Sequence, residues 1–244
     1  MRTDTGMRMG TAMTTTATTD AAIMLRLLAW LSPNFPVGAF SYSHGIEAAV
    51  EEGTIRDGAG LRFWLEGVLA FGTARIDADL LREAWMAVEG DDHARFGRAH
   101  AWGRAMRGTP ELALESMQQG GSFLDTAAAC WPVPGLEDWR GRAAGGVAYP
   151  VAIGLVAALH AVPLRAVLLA YLHAFSANLV GAAVRLVPLG QTVGQRTLAE
   201  LTPAIATAAA AAESRDFASI GAAAPMLDLL SIAHETQHTR LFRS

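Results

Sequence analysis

Residues 166–184 read AVLLAYLHAFSANLVGAAV, and how this run is interpreted decides the fold. It carries no formal charge over 19 residues, and Arg165 and Arg185 stand at its two ends. By length alone it qualifies as a membrane span, for which about 20 apolar residues suffice. Its content points elsewhere. His173, Ser176 and Asn178 are expensive in hydrocarbon, and the many Ala and Gly residues gain little by insertion. A helix buried inside a helical protein accounts for the same run.

Working outward, the rest of the chain also carries helical periodicity, and no sustained alternation rich in Val, Ile and Thr signals a strand. Asp20 is placed to cap a helix reaching about Leu31, with Ile23, Leu27, Trp30 and Leu31 on one face. Ser32-Pro33 ends it, and a loop over 32–40 follows, stiffened by Pro33, Pro36 and Gly38. A helix is expected over 41–52, stopped by Gly53. Asp57 caps the next, with Leu61, Trp64, Leu65 and Val68 in phase. Others are predicted near 76–89, 91–107 and 110–129, the last announced by Thr109-Pro110. Residues 131–146, with Pro132, Pro134 and several glycines, read as a long internal loop. Helices then resume near 147–160, 163–187, 190–213 and 225–240. The expectation is an all-α, single-domain bundle of about nine or ten helices. It would span 21–244, after a disordered Thr-rich tail over 1–20.

Composition narrows the chemistry. The chain has 244 residues, 52% of them hydrophobic, and a mean hydropathy of +0.26. One cysteine, Cys130, excludes a disulfide framework and a Cys-only zinc site. A formal net charge of -4 argues against general nucleic-acid binding. All 19 basic residues are Arg, so a Schiff-base lysine, a lysine general base and a P-loop are all excluded.

One motif looks enzymatic. His234-Glu235-Thr236-Gln237-His238 matches H-E-x-x-H, in which two His one helical turn apart bind zinc and the Glu is general base. A zinc-dependent hydrolase is therefore the alternative reading, with His234 and His238 as ligands. Its weakness is the missing third ligand, since residues 239–244 offer no His, Cys, Asp or Glu. Elsewhere, Ser43 lacks the glycine two residues before it that a nucleophile elbow needs. Asp77 and Asp79 point apart on a helix. His100, His160 and His173 sit in apolar helical stretches and read as structural. No catalytic residue and no cofactor is assigned.

Three segments carry a more specific message: 31–47 (LSPNFPVGAFSYSHGIE), 176–191 (SANLVGAAVRLVPLGQ) and 225–244 (PMLDLLSIAHETQHTRLFRS). In that order they closely resemble the urease accessory protein UreF family, over about residues 22–244. The resemblance implies an all-α, non-enzymatic chaperone or scaffold of the cytoplasm, without a cofactor and without a membrane or nucleic-acid partner. It implies a homodimer that binds UreD (also called UreH), recruits the GTPase UreG and assists nickel insertion into apo-urease. Phe40, Tyr42, Ser43 and Glu47 match the first signature, and Arg240, Leu241, Phe242, Arg243 and Ser244 match the tail; these nine become the expected partner-binding residues. The chain departs from the family pattern at Asn34, Phe35, His44, Gly181 and His238. In the family the His-Glu pair does not depend on a second His.

Overall fold

The computed structural model describes residues 10–244, with side chains from Asp20 onward. Among the described residues the architecture is all-α, with two short 3-10 turns and no strand. The helices are α1 (Gly10–Trp30), α2 (Ile46–Glu51), α3 (Gly58–Phe71), α4 (Thr73–Glu89), α5 (His93–Ala105) and α6 (Pro110–Cys130). They continue as α7 (Leu136–Arg142), α8 (Tyr149–Leu159), α9 (Leu164–Leu186), α10 (Gly190–Glu200), α11 (Thr202–Ser214) and α12 (Pro225–Glu235).

Expected caps do what their chemistry allows. Asp57 accepts a hydrogen bond from Gly60 N–H at 2.8 Å, and Thr109 accepts one from Leu112 N–H at 3.3 Å with Pro110 opening α6. Several boundaries differ from expectation. α1 starts at Gly10, so Asp20 lies inside it rather than capping it. Of the tail expected over 1–20, residues 1–9 fall outside the described residues. The helix expected over 190–213 is two helices hinged at Leu201, because Pro203 has no N–H to continue a ladder and opens α11 instead. The loop expected over 131–146 contains α7, which has Glu137 and Asp138 in its first turn and Arg140 and Arg142 in its last. That charge order complements the helix dipole and offsets the flanking glycines. The helix expected over 225–240 ends at Glu235.

α4 is the axis of the molecule. It packs against α8, α5, α3, α9 and α11, so it has no solvated face for most of its length. α8 crosses it closely at Gly154, where a Cβ would overlap the Leu81 carbonyl oxygen. Even its charges are enclosed. Arg82, 2% exposed, donates to the Ala212 carbonyl at 2.7 Å and to Glu83 Oε1 at 2.5 Å, and also reaches the Arg215 carbonyl. It thereby satisfies carbonyls at the end of α11 that no helix bond serves. Arg95 of α5 closes on Glu83 from the other side at 2.7 Å.

α9 contains the run that opened the sequence question. It is long and apolar enough to cross a membrane, and 50% of its most apolar window is buried in the fold. α10, α11, α4 and α2 cover much of it; two of its polar side chains are bonded within the fold, while His173 is exposed. Ser176 Oγ donates to the Leu172 carbonyl at 2.8 Å, and Asn178 Nδ2 donates to the Ala39 carbonyl at 3.1 Å.

Candidate interaction site where residues 240–244 meet the N-terminal loop

The loop after α1 is built to hold one shape. Phe35 packs its ring against Phe123 at 5.2 Å and Trp131 at 5.8 Å, which plugs the loop into the core. Gly38, His44 and Gly45 all adopt left-handed backbone, with φ of 73°, 56° and 80°. These bends hold α2 back to Ile46 and turn residues 41–43 toward the end of α12. Gly45 faces the Ser231 nitrogen and Leu227 of α12, and a larger residue there would also be strained by its positive φ.

Residues 240–244 lie along this loop. Arg243 N–H donates to the Ser41 carbonyl at 2.8 Å, and Ser43 N–H donates to Ser244 O at 2.8 Å. The Ser43 hydroxyl also donates to Ser244 O. Glu47, in the first turn of α2 and 5% exposed, accepts from Leu241 N–H at 2.7 Å and from Phe242 N–H at 3.0 Å. His234 Nε2 lies 3.0 Å from the same carboxylate.

α6 supplies the other side. Glu111 Oε2 is 2.7 Å from His234 Nδ1, and Glu111 Oε1 accepts from Arg240 at 2.6 Å. One turn on, Glu115 accepts from the Ser244 hydroxyl at 2.8 Å and faces His44 Nδ1 at 3.3 Å. Burial alone would raise the Glu115 carboxyl; His44, Ser244 and Arg107 outweigh it and hold it below its ordinary range. Burial pushes the Tyr42 phenol up, opposed by Arg243, and its hydroxyl donates to Gln118 at 2.5 Å. Arg185 of α9 lies over the Phe242 ring at 4.4 Å and donates to the Phe40 carbonyl at 3.0 Å.

The nine expected residues therefore gather in one place but face two ways. Tyr42, Ser43, Glu47, Phe242 and Ser244 are buried and bond within the chain. Phe40 and Leu241 are 64% and 63% exposed, and Arg240 and Arg243 are also at the surface. Met226, Leu229 and Ile232 of α12 and Leu114 of α6 are exposed apolar neighbours on the elements that carry the segment. On the other side of the loop, a groove of about 990 Å³ runs between α1 and α9, with Met24, Leu28, Phe40 and Phe175 on its walls.

The HETQH motif does not form a zinc-binding face. α12 stops at Glu235, so His238 lies beyond the helix and exposed, while His234 is wholly buried between Glu47 and Glu111. Among the described residues, no group of three or more His, Cys, Asp and Glu is arranged to hold a metal ion. Sequence reading missed Glu111, Glu115 and Arg185. The spacing of Glu111 and Glu115 places them on one helix face, which was the one available signal.

These features define a class: an all-α, single-domain protein whose segment 240–244 is folded back as a structural part of its N-terminal loop. Comparison with known proteins gives the family. The UreF family profile matches residues 55–202. A urease accessory protein UreF of Granulibacter bethesdensis is 46% identical over 94% of this chain and 97% of its own length. Proteins of the same name from Methylobacterium sp. (strain 4-46) and Xanthobacter autotrophicus are 48% and 46% identical, covering 90% and 92% of this chain and 88% and 93% of their own lengths. The chain belongs to the UreF family.

Proposed function

We propose that this protein is a non-enzymatic urease accessory factor, a scaffold that binds UreD/UreH, recruits the GTPase UreG and assists nickel insertion into apo-urease. In this reading it works in the cytoplasm as a homodimer and carries no cofactor of its own. Family membership supports the urease role. The observation that carries the scaffold reading is the meeting of two distant signatures, 31–47 and 225–244, at a surface edged by Phe40 and Leu241. Buried polar anchors fix the backbone, while exposed aromatic, aliphatic and Arg side chains are left to meet a partner. The zinc-hydrolase alternative receives no support from the geometry, because His238 shares no helix face with His234.

The test is urease activation in a host lacking only its own UreF. Rescue by the full chain is the expected result, and no rescue with a folded chain would overturn the reading. Removing residues 240–244 should abolish co-purification with co-expressed UreD. Retained binding after that deletion would sink the assignment of the tail to this partner.

A further inference from the structure

Arg185 and Arg243 are held in place without an acid. Arg185, in the last turn of α9, donates from Nε to the Gly181 carbonyl at 3.2 Å and from Nη1 to the Phe40 carbonyl at 3.0 Å. Its guanidinium also rests over the Phe242 ring. Arg243 lies over the Tyr42 ring at 5.8 Å, on backbone fixed by its own N–H to Ser41. Among the described residues neither guanidinium pairs with a carboxylate. The acids of this site are already engaged: Glu47 by two amides, Glu111 by Arg240, and Glu115 by Ser244 and His44. Burial lowers the Arg185 guanidinium from its ordinary range and no acid offsets it, whereas a hydrogen-bonded Glu83 holds Arg95 above its own. Carbonyls and ring faces restrict a side chain without cancelling its charge. Two positive charges are therefore preset at a surface that also exposes Phe40 and Leu241.

We infer that Arg185 and Arg243 are a preset pair of positive anchors, and that the partner docking on residues 240–244 presents an acidic protein face: carboxylates for the two guanidiniums beside an apolar recess for Phe40. This rests on the reading of that surface as the docking site for UreD. It deepens that reading by giving the partner's chemistry and by adding Arg185, which is not one of the nine expected residues. Charge complementarity carries the choice of partner. A guanidinium fork matches a carboxylate, and side chains already held in place lose little freedom when they bind. The chain as a whole has a formal net charge of -4, so this positive face runs against the sign of the molecule. A nucleic acid would be repelled by that excess and would leave Phe40 and Leu241 uncovered. A protein face with acids around an apolar recess meets both the charge and the exposed side chains.

Charges at the rim of an interface act first on the rate of association, and salt screens them. The experiment therefore measures association of the full chain with purified UreD as sodium chloride is raised. The rate should fall about tenfold between about 50 mM and about 500 mM salt. The double variant Arg185→Gln, Arg243→Gln should associate about tenfold more slowly than the unaltered chain at the low salt and nearly as fast at the high salt. Arg185→Lys with Arg243→Lys keeps both charges and should keep the salt dependence. Arg98→Gln removes an exposed Arg of α5 that lies over the Phe217 ring, and should change nothing. A merely structural loss would weaken binding equally at every salt concentration. That result, association indifferent to salt, or a double Gln variant that binds like the unaltered chain would overturn the inference while leaving UreD binding itself standing. No binding by the unaltered, folded chain would overturn the reading of the surface and the inference with it. Equally tight, Arg-dependent binding of a mixed-sequence DNA duplex would overturn the acidic protein partner.

Discussion

Thr109 joins two helices with one hydroxyl. It caps α6 through Leu112 N–H, and it lies 2.7 Å from the Ser231 hydroxyl of α12. Thr109→Val keeps the shape and removes both bonds. Lost capping and a stranded buried Ser231 should together lower stability by about 1–3 kcal/mol, measured by urea unfolding. The cap was legible in the sequence because Thr-Pro is a local signal. The bond to Ser231 was not, since it spans 122 residues and nothing local encodes it. Glu47 shows the same divide more sharply. Its place in a helix was readable, but its sequence suits a solvated carboxylate equally well. What buries it is a segment almost two hundred positions away.

At the scale of elements, the close crossing of α4 and α8 depends on Gly154. Alanine there would gain about 1 kcal/mol of helix propensity. The added methyl, however, meets backbone at Leu81 and the Ala84 side chain, and neither can turn aside. Overpacking of this kind outweighs propensity. Gly154→Ala should lower the melting temperature by about 4 °C or more in a thermal scan, given about 2–4 °C per kcal/mol for a domain of this size. The helix with the strongest local grammar, α6, was read nearly to the residue, and the Asp57 cap of α3 was read correctly, whereas α4 starts three residues earlier than expected. Misreadings cluster where a local signal had two uses. Pro203 both interrupts one helix and opens another, and the glycines flanking α7 disguised seven helical residues as loop. α9 was read as a core helix because its polar residues outweighed its length as evidence, and half of its most apolar window is buried in the fold.

For the whole molecule, buried charge sets the response to acid. Burial would raise the Glu83 and Glu115 carboxyls, yet their Arg, His and Ser partners hold both below the ordinary 4.5. A carboxyl depressed in the folded state stabilises it above the unfolded value and loses that contribution as pH falls through the folded value. Asp79 runs the other way. Its burial outweighs Arg215 and raises it, so it destabilises the fold while ionised and stops doing so once protonated. Two depressed groups against one raised group predict a net loss of stability below about pH 4.5. Chemical denaturation at pH 7, pH 5 and about pH 4 checks this, with the loss falling between pH 5 and pH 4.

The closure of residues 240–244 onto the N-terminal loop also sets an order of events in synthesis. Ser43 finds its partner 201 positions later, so this surface joins residues far apart in the chain. Helices such as α4 and α8 can pair while translation continues, whereas the loop at 41–47 must wait with its carboxylate unmatched. Only when residues 240–244 have emerged from the ribosome can the two signatures meet. A chain lacking residues 240–244 would keep most of its core and lack this face. The site therefore distinguishes copies that carry residues 240–244 from copies that lack them before any partner is engaged.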